Sequence, residues 1–210
     1  MKVEIWSDVM CPFCYIGKRR FEYALEQFSG RATVEVEWKS FQLNPGMETD
    51  PSRNINQYLA DHKGISVERA KQMNDRVRQM ALDVGLEYDF DKAIVANSFD
   101  AHRLSHFAKT HGKQDAMEER LFKAYFTEGK NTADHDTLVQ LASEIGLNTD
   151  ETRAMLAGDE FADDVEKDMY EAQQVGAQGV PFFVFNDKYA VSGAQPTELF
   201  LQVLNKVAEE

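Results

Sequence analysis

The chain has 210 residues, of which 43% are hydrophobic and 28% charged, and its formal net charge is −13. This length and composition are ordinary for a globular protein and permit one large domain or a domain that carries an insertion. The acidic charge argues against binding to nucleic acid or to an anionic membrane, since both need a basic surface. No apolar run reaches the roughly 18 residues of a membrane span, and the first residues do not resemble a signal peptide, so we expect a cytoplasmic protein.

The N-terminal segment has the pattern of a βαβ unit. Alternating apolar and polar residues predict a strand over residues 2–7 and a second strand over residues 33–43. Between them, apolar residues at helical spacing predict a helix over residues 11–28, which stops at Ser29-Gly30. A strand, a helix and a strand in this order predict two parallel strands joined by a crossover.

Cys11 and Cys14 are the only two cysteines of the chain, and they lie at the predicted start of this helix. Unpaired backbone N–H groups and the helix dipole favour an anion there, and therefore a thiolate, the reactive form, at Cys11. Pro12 suits the first helical position, where its missing N–H costs nothing. Cys14 lies one turn further on and can close a disulfide with Cys11, so the CxxC motif predicts a redox-active pair.

Other roles for the two cysteines are a structural disulfide, half of a zinc site, or two unrelated buried thiols. A disulfide that closes so small a ring removes little entropy from the unfolded chain. Zinc would need two more Cys or His ligands at paired spacing, and none is apparent. His102 and His106 stand four apart without an HExxH pattern, and we expect them to be partly solvated helix residues. The sequence therefore predicts no metal site.

The remaining chain changes from helical to strand character towards its end. Residues 44–53 are rich in Pro, Gly, Asp and Ser and predict a loop. Strand patterns at residues 181–185 and 189–191, separated by Asn186-Asp187, predict a β-hairpin, and Pro196 opens a last helix. Between the loop and the hairpin, apolar stripes predict helices over residues 66–85, 97–111, 113–128, 134–145, 149–156 and 159–175.

Three motifs resemble the DsbA-like group of the thioredoxin superfamily, and within it the FrnE-like oxidoreductases. They are Ser-Asp-Val-Met-Cys-Pro-Phe-Cys-Tyr-Ile-Gly at residues 7–17, Asn97-Ser98 with Ala101-His102-Arg103, and Gly-Val-Pro-Phe-Phe at residues 179–183. The resemblance covers essentially the whole chain. It implies an α/β fold in which residues 1–50 and 176–210 form a thioredoxin-like βαβ…ββα domain, while residues 51–175 form an all-helical insertion.

The resemblance also implies roles at the motif. Cys11 is expected to be the exposed nucleophile and Cys14 the buried resolving thiol, with Pro12 and Phe13 tuning the pair. Val180-Pro181 is expected to be a cis peptide that faces the disulfide and offers the Val180 backbone to an extended substrate. Phe13 stands where many relatives have Trp or, in DsbA, His, so it supplies no imidazolium and predicts a less oxidising pair than that of DsbA.

The acidic residue that thioredoxin-like proteins carry beneath the thiols has no clear counterpart in the sequence. Ile5 occupies the expected inward position on the first strand, and Glu4, Glu37 and Lys39 are nearby. No proton shuttle is assigned to them.

The leading hypothesis is thiol–disulfide exchange. The Cys11 thiolate attacks a substrate disulfide, and Cys14 then attacks Cys11 to release the reduced substrate. In a reducing cytosol this predicts a reductase or isomerase of protein or small-molecule disulfides. We expect no tightly bound cofactor beyond the redox-active disulfide, glutathione as a candidate co-substrate, and a monomer or homodimer.

Two other functions belong to different classes. Kappa-type glutathione transferases and 2-hydroxychromene-2-carboxylate isomerases are DsbA-like but lack the redox pair, so the presence of both cysteines favours redox chemistry. A binding or chaperone-like role would use apolar surface around Phe13, Tyr15 and the Pro181 loop. The candidate residues of a small-molecule pocket, which could instead cap helices and hold loops, are Trp6, Tyr15, Asn97, Ser98, His102 and Arg103.

Overall fold

The computed structural model describes all 210 residues, which form two compact units. The first unit contains Met1–Leu43 and Asp163–Glu210, and the second contains Asn44–Ala162. None of the helices combines the length and the apolar character that crossing a bilayer requires.

The chain alternates strands and helices at its ends and is mostly helical in the middle. In chain order the elements are β1 (Lys2–Ser7), α1 (Pro12–Gln27), a short 3₁₀ helix (Arg31–Thr33), β2 (Glu35–Ser40), β3 (Asp50–Asn54), α2 (Ile55–Lys63), α3 (Val67–Leu82), β4 (Ile94–Val95), α4 (Phe99–Thr110), α5 (Gln114–Phe126), α6 (His135–Glu144), α7 (Thr149–Ala157), α8 (Ala162–Gln174), β5 (Phe182–Phe185), β6 (Tyr189–Ser192) and α9 (Thr197–Ala208).

The first unit is built on a four-stranded sheet in the order β2-β1-β5-β6. Strand β1 is parallel to β2 and antiparallel to β5, and β5 is antiparallel to β6. Asn186 and Asp187 join β5 to β6 with φ values of 47° and 55°, the backbone of a tight hairpin turn. The predicted α/β fold, a βαβ unit followed by a ββα unit, is therefore confirmed.

One face of this sheet packs through aromatic side chains. Successive residues of a strand point to opposite faces, so Phe183 and Phe185 share one face of β5. The ring centroid of Phe21, on α1, lies 5.6 Å from that of Phe183 and 6.1 Å from that of Phe185. The Phe21 centroid also lies 5.7 Å from that of Phe200 on α9. Four buried rings thus join both helices to the sheet.

The other face of the sheet packs against α8. Trp6, Phe182 and Val184 form a buried cluster with Ala172. The indole Nε1 of Trp6 donates to the carbonyl of Asp168 at 2.9 Å, which satisfies the polar atom of a buried ring. The core of this unit is therefore a sheet covered on both sides.

Ion pairs and a backbone hydrogen bond hold α8 against the sheet of the first unit. Lys39 Nζ lies 3.1 Å from an Asp168 carboxylate oxygen and 3.0 Å from one of Glu171, while the backbone N–H of Ser40 donates to Asp168 at 2.8 Å. Helix α8 thus belongs to the first unit. By its contacts the chain divides at residues 43/44 and 162/163, whereas the predicted boundaries are 50/51 and 175/176. Ser40 and Asp168, which join α8 to the sheet, lie 128 positions apart, so the helical pattern of α8 does not reveal this contact.

The second unit holds three elements that the sequence pattern missed. Within and just after the predicted loop over residues 44–53, the chain forms β3, which pairs antiparallel with β4, and then α2. The side chain of Asn54 accepts from the N–H of Asn56 and donates to the carbonyls of Phe90, Asp91 and Ala93. Partners so distant in sequence leave no periodic signal, and Pro51 and Ser52 are typical of loops.

A buried acid lies between α4 and α5. Glu118 is fully buried, and the hydroxyl of Ser105 donates to its Oε1 at 2.6 Å, while its Oε2 has no hydrogen-bond partner. Burial raises the pKa of Glu118 more than nearby His102 and His106 lower it. Both histidines are buried, so the expectation that they are partly solvated is wrong: the face of α4 that carries them is covered by the rest of the unit.

Gly17 lets α1 approach the start of β5. A Cβ atom at this position would lie 2.9 Å from Cγ of Pro181 and 3.5 Å from Cζ of Phe183. The first distance is shorter than real Cβ contacts, and the Pro181 ring is tied to the backbone. Only glycine therefore fits here without a shift of the chain.

We predict that Gly17→Ala destabilises the fold. Overpacking costs about 1–3 kcal/mol and outweighs the roughly 0.8–1.0 kcal/mol by which Ala exceeds Gly in helix propensity. The free energy of unfolding in urea should fall by about 1 kcal/mol. Gly158→Ala is the control, because its Cβ would meet nothing closer than 3.8 Å. An unchanged or higher stability of Gly17→Ala would contradict the crowding.

A second prediction concerns pH. The native pKa of Glu118 lies above its unfolded value, so folding keeps a proton that the unfolded chain releases, and stability falls as pH rises through that window. Glu118→Gln removes this titration and keeps an acceptor for Ser105. Its unfolding free energy relative to the parent should therefore increase from pH 4 to pH 8, measured by urea unfolding. A difference between Glu118→Gln and the parent that stays constant over this range would contradict the prediction.

Candidate active site

The two cysteines lie where β1 passes into α1. Cys11 is the N-cap residue of α1, Pro12 is its first residue, and the N–H of Cys14 donates to the carbonyl of Cys11 at 3.0 Å. No disulfide joins the two cysteines, and both are buried, whereas Phe13 between them is 39% exposed. The predicted position of Cys11 at a helix N-terminus is therefore present. The expectation that Cys11 is exposed is wrong, because its sulfur lies against the Val180 backbone, and the apolar Phe13 stands at the surface instead.

The backbone of Val180 completes the surroundings of Cys11. The Val180–Pro181 peptide bond is cis. The Sγ atom of Cys11 lies 3.4 Å from the carbonyl oxygen of Val180, to which the thiol donates. This contact joins residues 169 positions apart in the chain. The two motifs that the sequence set apart at opposite ends of the chain thus meet.

Cys14 is held as a thiol by its surroundings. Its Sγ is buried, and burial raises the pKa of Cys14 well above its usual range. The neighbouring Cys11 raises this pKa further, since the Cys14 thiol donates to the Cys11 sulfur, while Ser7 and the backbone of Asp8 lower it. Cys14 therefore keeps its proton, which it directs at the Cys11 sulfur.

Three residues of this site had no role in the sequence analysis. Ser7 and Asp8 contact Cys14, and Gly17 admits Pro181. All three lie within the motif over residues 7–17. The sequence did contain a signal for the turn at Asp8. An Asp side chain often accepts from the backbone N–H two residues further on, here Met10, and so stabilises a turn.

Two residues of the predicted small-molecule pocket lie in the first unit, with internal partners. Trp6 is buried against α8 through its bond to Asp168. Tyr15 is also buried; the Arg19 guanidinium lies 5.0 Å from its ring centroid and donates to its hydroxyl at 3.3 Å. These contacts are structural.

Asn97 organises the segment before α4 in the second unit. Its Nδ2 donates to the carbonyls of Pro45 and Met47 at 3.3 and 2.8 Å, and its Oδ1 accepts from the N–H of Phe99 at 2.9 Å. Ser98 is the buried N-cap residue of α4. Contacts of this kind hold a loop and the start of a helix, which is the alternative role that the sequence analysis gave to these residues.

Arg103 is also engaged within the second unit. Its guanidinium donates to the carbonyls of Met155, Gly158 and Glu160 at 2.7–2.8 Å and to Asp100 at 2.7 Å. His102 belongs to the buried group around Glu118. A pocket formed by Trp6, Tyr15, Asn97, Ser98, His102 and Arg103 stays a prediction.

The ionisable residues near the first strand form a network of ion pairs. Lys39 lies 3.8 Å from Glu4 and 3.6 Å from Glu37, in addition to its pairs with α8. Burial lowers the pKa of Lys39, but Asp168 and Glu171 outweigh it and raise that pKa. Ile5 lies opposite Phe183 on the neighbouring strand, on the aromatic side of the sheet.

Comparison with known proteins agrees with this geometry. The profile of the DSBA-like thioredoxin domain matches residues 2–205. A probable DsbA oxidoreductase from Streptomyces coelicolor, SCO1869, is 42% identical, with a TM-score of 0.95 over 100% of this chain and 91% of that one.

Two more distant structures share the fold. A 2-hydroxychromene-2-carboxylate isomerase is 12% identical, with a TM-score of 0.74 over 100% of this chain and 97% of that one. The cytosolic disulfide reductase DsbM from Pseudomonas aeruginosa is 17% identical, with a TM-score of 0.70 over 100% of both chains. A second structure of DsbM contains GSH. At these identities only the architecture is shared, whereas the family profile spans nearly the whole sequence. The chain therefore belongs to the DSBA-like thioredoxin domain family, whose members include thiol oxidoreductases.

Proposed function

We propose that this protein is a thiol–disulfide oxidoreductase that reduces or rearranges disulfides of proteins or small molecules through Cys11 and Cys14. The observation that carries the proposal is the arrangement of the two sulfurs. Cys11 lies at the N-terminus of α1, and the buried Cys14 thiol donates to it. The pair thus has one sulfur suited to attack and one that stays protonated until it is needed.

The exchange proceeds in two displacements. The Cys11 thiolate attacks one sulfur of a substrate disulfide, which forms a mixed disulfide and releases the other sulfur as a thiolate. Cys14 then loses its proton and attacks Cys11 Sγ, which releases the second substrate sulfur. The substrate gains two electrons and the protein ends with a Cys11–Cys14 disulfide.

The surface beside Cys11 suits an extended, partly apolar substrate. The Val180 backbone lies next to Cys11 Sγ and is the candidate for main-chain hydrogen bonds to a peptide. Phe13 and Leu43 expose 39% and 53% of their surface and offer apolar contact in the same unit. A site that binds the substrate through main-chain hydrogen bonds and apolar contacts does not select a particular side chain. We therefore expect it to accept a broad range of disulfide substrates.

The direction of transfer follows from the residue between the cysteines. Phe13 has no ionisable group that would favour the Cys11 thiolate over the disulfide, so the pair is expected to be more reducing than that of DsbA. In the cytoplasm, which we propose as its compartment, such a pair acts as a reductase or isomerase. Glutathione is the candidate reductant that regenerates the dithiol.

We predict that Cys11→Ser lowers insulin-disulfide reduction at least 100-fold, to the uncatalysed rate, because the attacking sulfur is lost. Cys14→Ser keeps the attacking sulfur and loses the resolving one. It should therefore accumulate the mixed disulfide with a substrate, detected by a mass shift that a reductant removes. Full activity of Cys11→Ser would overturn the proposal.

A further measurement separates this function from a glutathione transferase or isomerase of the related type. Cys14→Ala should abolish disulfide turnover, while a transferase that needs only one activating group would retain its rate of glutathione conjugation. We expect no conjugation of chlorodinitrobenzene above background in either the parent or the variant. Conjugation that survives Cys14→Ala would assign the protein to the transferase class.

A further inference from the structure

Arg20 lies on α1 and reaches the turn that follows β6. Its Nη1 donates to the carbonyl of Ala194 at 2.6 Å, across 174 positions of the chain. The neighbouring Arg19, in contrast, pairs with Glu22 on its own helix at 2.6 Å. Arg20 therefore fastens α1 to a turn that is distant in sequence.

The same turn holds Pro181. The N–H of Gly193 donates to the carbonyl of Pro181 at 2.8 Å, directly after the cis peptide bond. The N–H of Gln195 donates to the carbonyl of Gly193 at 2.9 Å, which closes a tight turn around Ala194. Because proline has no N–H, its carbonyl is the main-chain group through which Pro181 is held. The bond from Arg20 to Ala194 thus acts one residue away from the group that holds Pro181.

Helix α1 also contacts this segment through Gly17. A Cβ atom at Gly17 would lie 2.9 Å from Cγ of Pro181 and 3.6 Å from Cα of Ala194. Gly17 and Arg20 are three positions apart and therefore share a face of the helix. Gly17 permits the close approach but has no side chain that could hold the turn, whereas the charged donor of Arg20 supplies a strong and directional bond.

The position of the Val180–Pro181 segment decides where a peptide can bind. The carbonyl of Val180 lies 3.4 Å from Cys11 Sγ, and the Val180 N–H donates to no other group of the chain. Helix α1 carries Cys11 at its N-terminus. A bond between α1 and the turn that holds Pro181 therefore fixes the Val180 backbone relative to the Cys11 sulfur.

We propose that Arg20 is a positioning residue for substrate binding: it ties the turn over residues 192–195 to α1 and so keeps the Val180–Pro181 backbone where a peptide substrate reaches Cys11. The inference rests on the proposed thiol–disulfide exchange and assigns Arg20 to the binding of substrates that have a peptide backbone. The chemistry of the two sulfurs does not require this bond.

Two disulfides separate binding from chemistry. Insulin has a peptide backbone, whereas dithiobis(nitrobenzoate) has none and cannot pair with the main chain of Val180. In both reactions the protein dithiol loses two electrons and becomes the Cys11–Cys14 disulfide, while the substrate disulfide gains them and becomes two thiols. The reduced protein is mixed with excess insulin, and acid quench with thiol labelling gives a half-saturating concentration and a maximal rate. Stopped-flow absorbance gives the rate with dithiobis(nitrobenzoate).

In Arg20→Met the side chain keeps an apolar stem but loses every donor. We expect the half-saturating concentration of insulin to rise about fivefold, as for one weakened hydrogen bond. The maximal rate and the rate with dithiobis(nitrobenzoate) should stay within about twofold of the parent. Arg20→Lys keeps a charged donor and should bring the half-saturating concentration back to within about twofold of the parent. Gln27→Met is the matched control: Gln27 Nε2 donates to the carbonyl of Tyr23 at 2.9 Å within α1, and neither reaction should change.

Several outcomes would overturn the inference. They are an unchanged half-saturating concentration in Arg20→Met, equal slowing of both reactions, and failure of Arg20→Lys to restore insulin binding. Loss of the native fold in both Arg20 variants would assign Arg20 to folding instead. A parent that reacts with dithiobis(nitrobenzoate) but not with insulin would show that the site does not take a peptide. If the parent reacts with neither disulfide above background, the proposed function itself fails.

Discussion

The junction of β1 and α1 is the constraint on which the site depends. The carbonyl of Asp8 accepts from the N–H of Cys11, which caps α1, and Cys14 follows one turn later. The Cys11 thiol donates to the Val180 carbonyl, and the Cys14 thiol is buried. Burial of Cys14 and its bond to Cys11 act together. The first keeps the Cys14 thiol protonated, and the second directs that proton at the Cys11 sulfur, for which we propose the attacking role. The chemistry thus comes from backbone geometry and burial, without a charged side chain between the cysteines.

The rest of the first unit keeps this junction rigid. The rings of Phe21, Phe183, Phe185 and Phe200 lock α1 and α9 to one face of the sheet, and Trp6 with the ion pairs of Lys39 locks α8 to the other. Near the site, α1 can approach Pro181 closely because Gly17 has no side chain. Strands β1 and β5 are neighbours in the sheet, and this pairing is what brings Val180 to Cys11.

Much of the fold was predictable because it is encoded locally. Alternation over residues 2–7 and 33–43, the glycines that end helices, and the Asn186-Asp187 turn each act over a few residues, and the strands and helices predicted from them are present with small shifts at their ends. Elements that depend on distant partners were not predictable. The short β3 strand exists through pairing with β4, α8 belongs to the sheet through Lys39 and Trp6, and His102 is buried through packing of α4. None of these partners lies within the window of a periodic pattern.

The sequence by itself determined the candidate reactive pair: two cysteines three apart, with proline at the first helical position, at a strand-to-helix transition. It also determined the βαβ and ββα halves, because side-chain alternation and helix signals are properties of neighbouring residues. Only the tertiary structure decided what surrounds the pair. The contact of Cys11 with the Val180 carbonyl and the burial of Cys14 arise from strand order and from contacts across the chain. The burial that keeps Cys14 protonated exists only once those parts are packed.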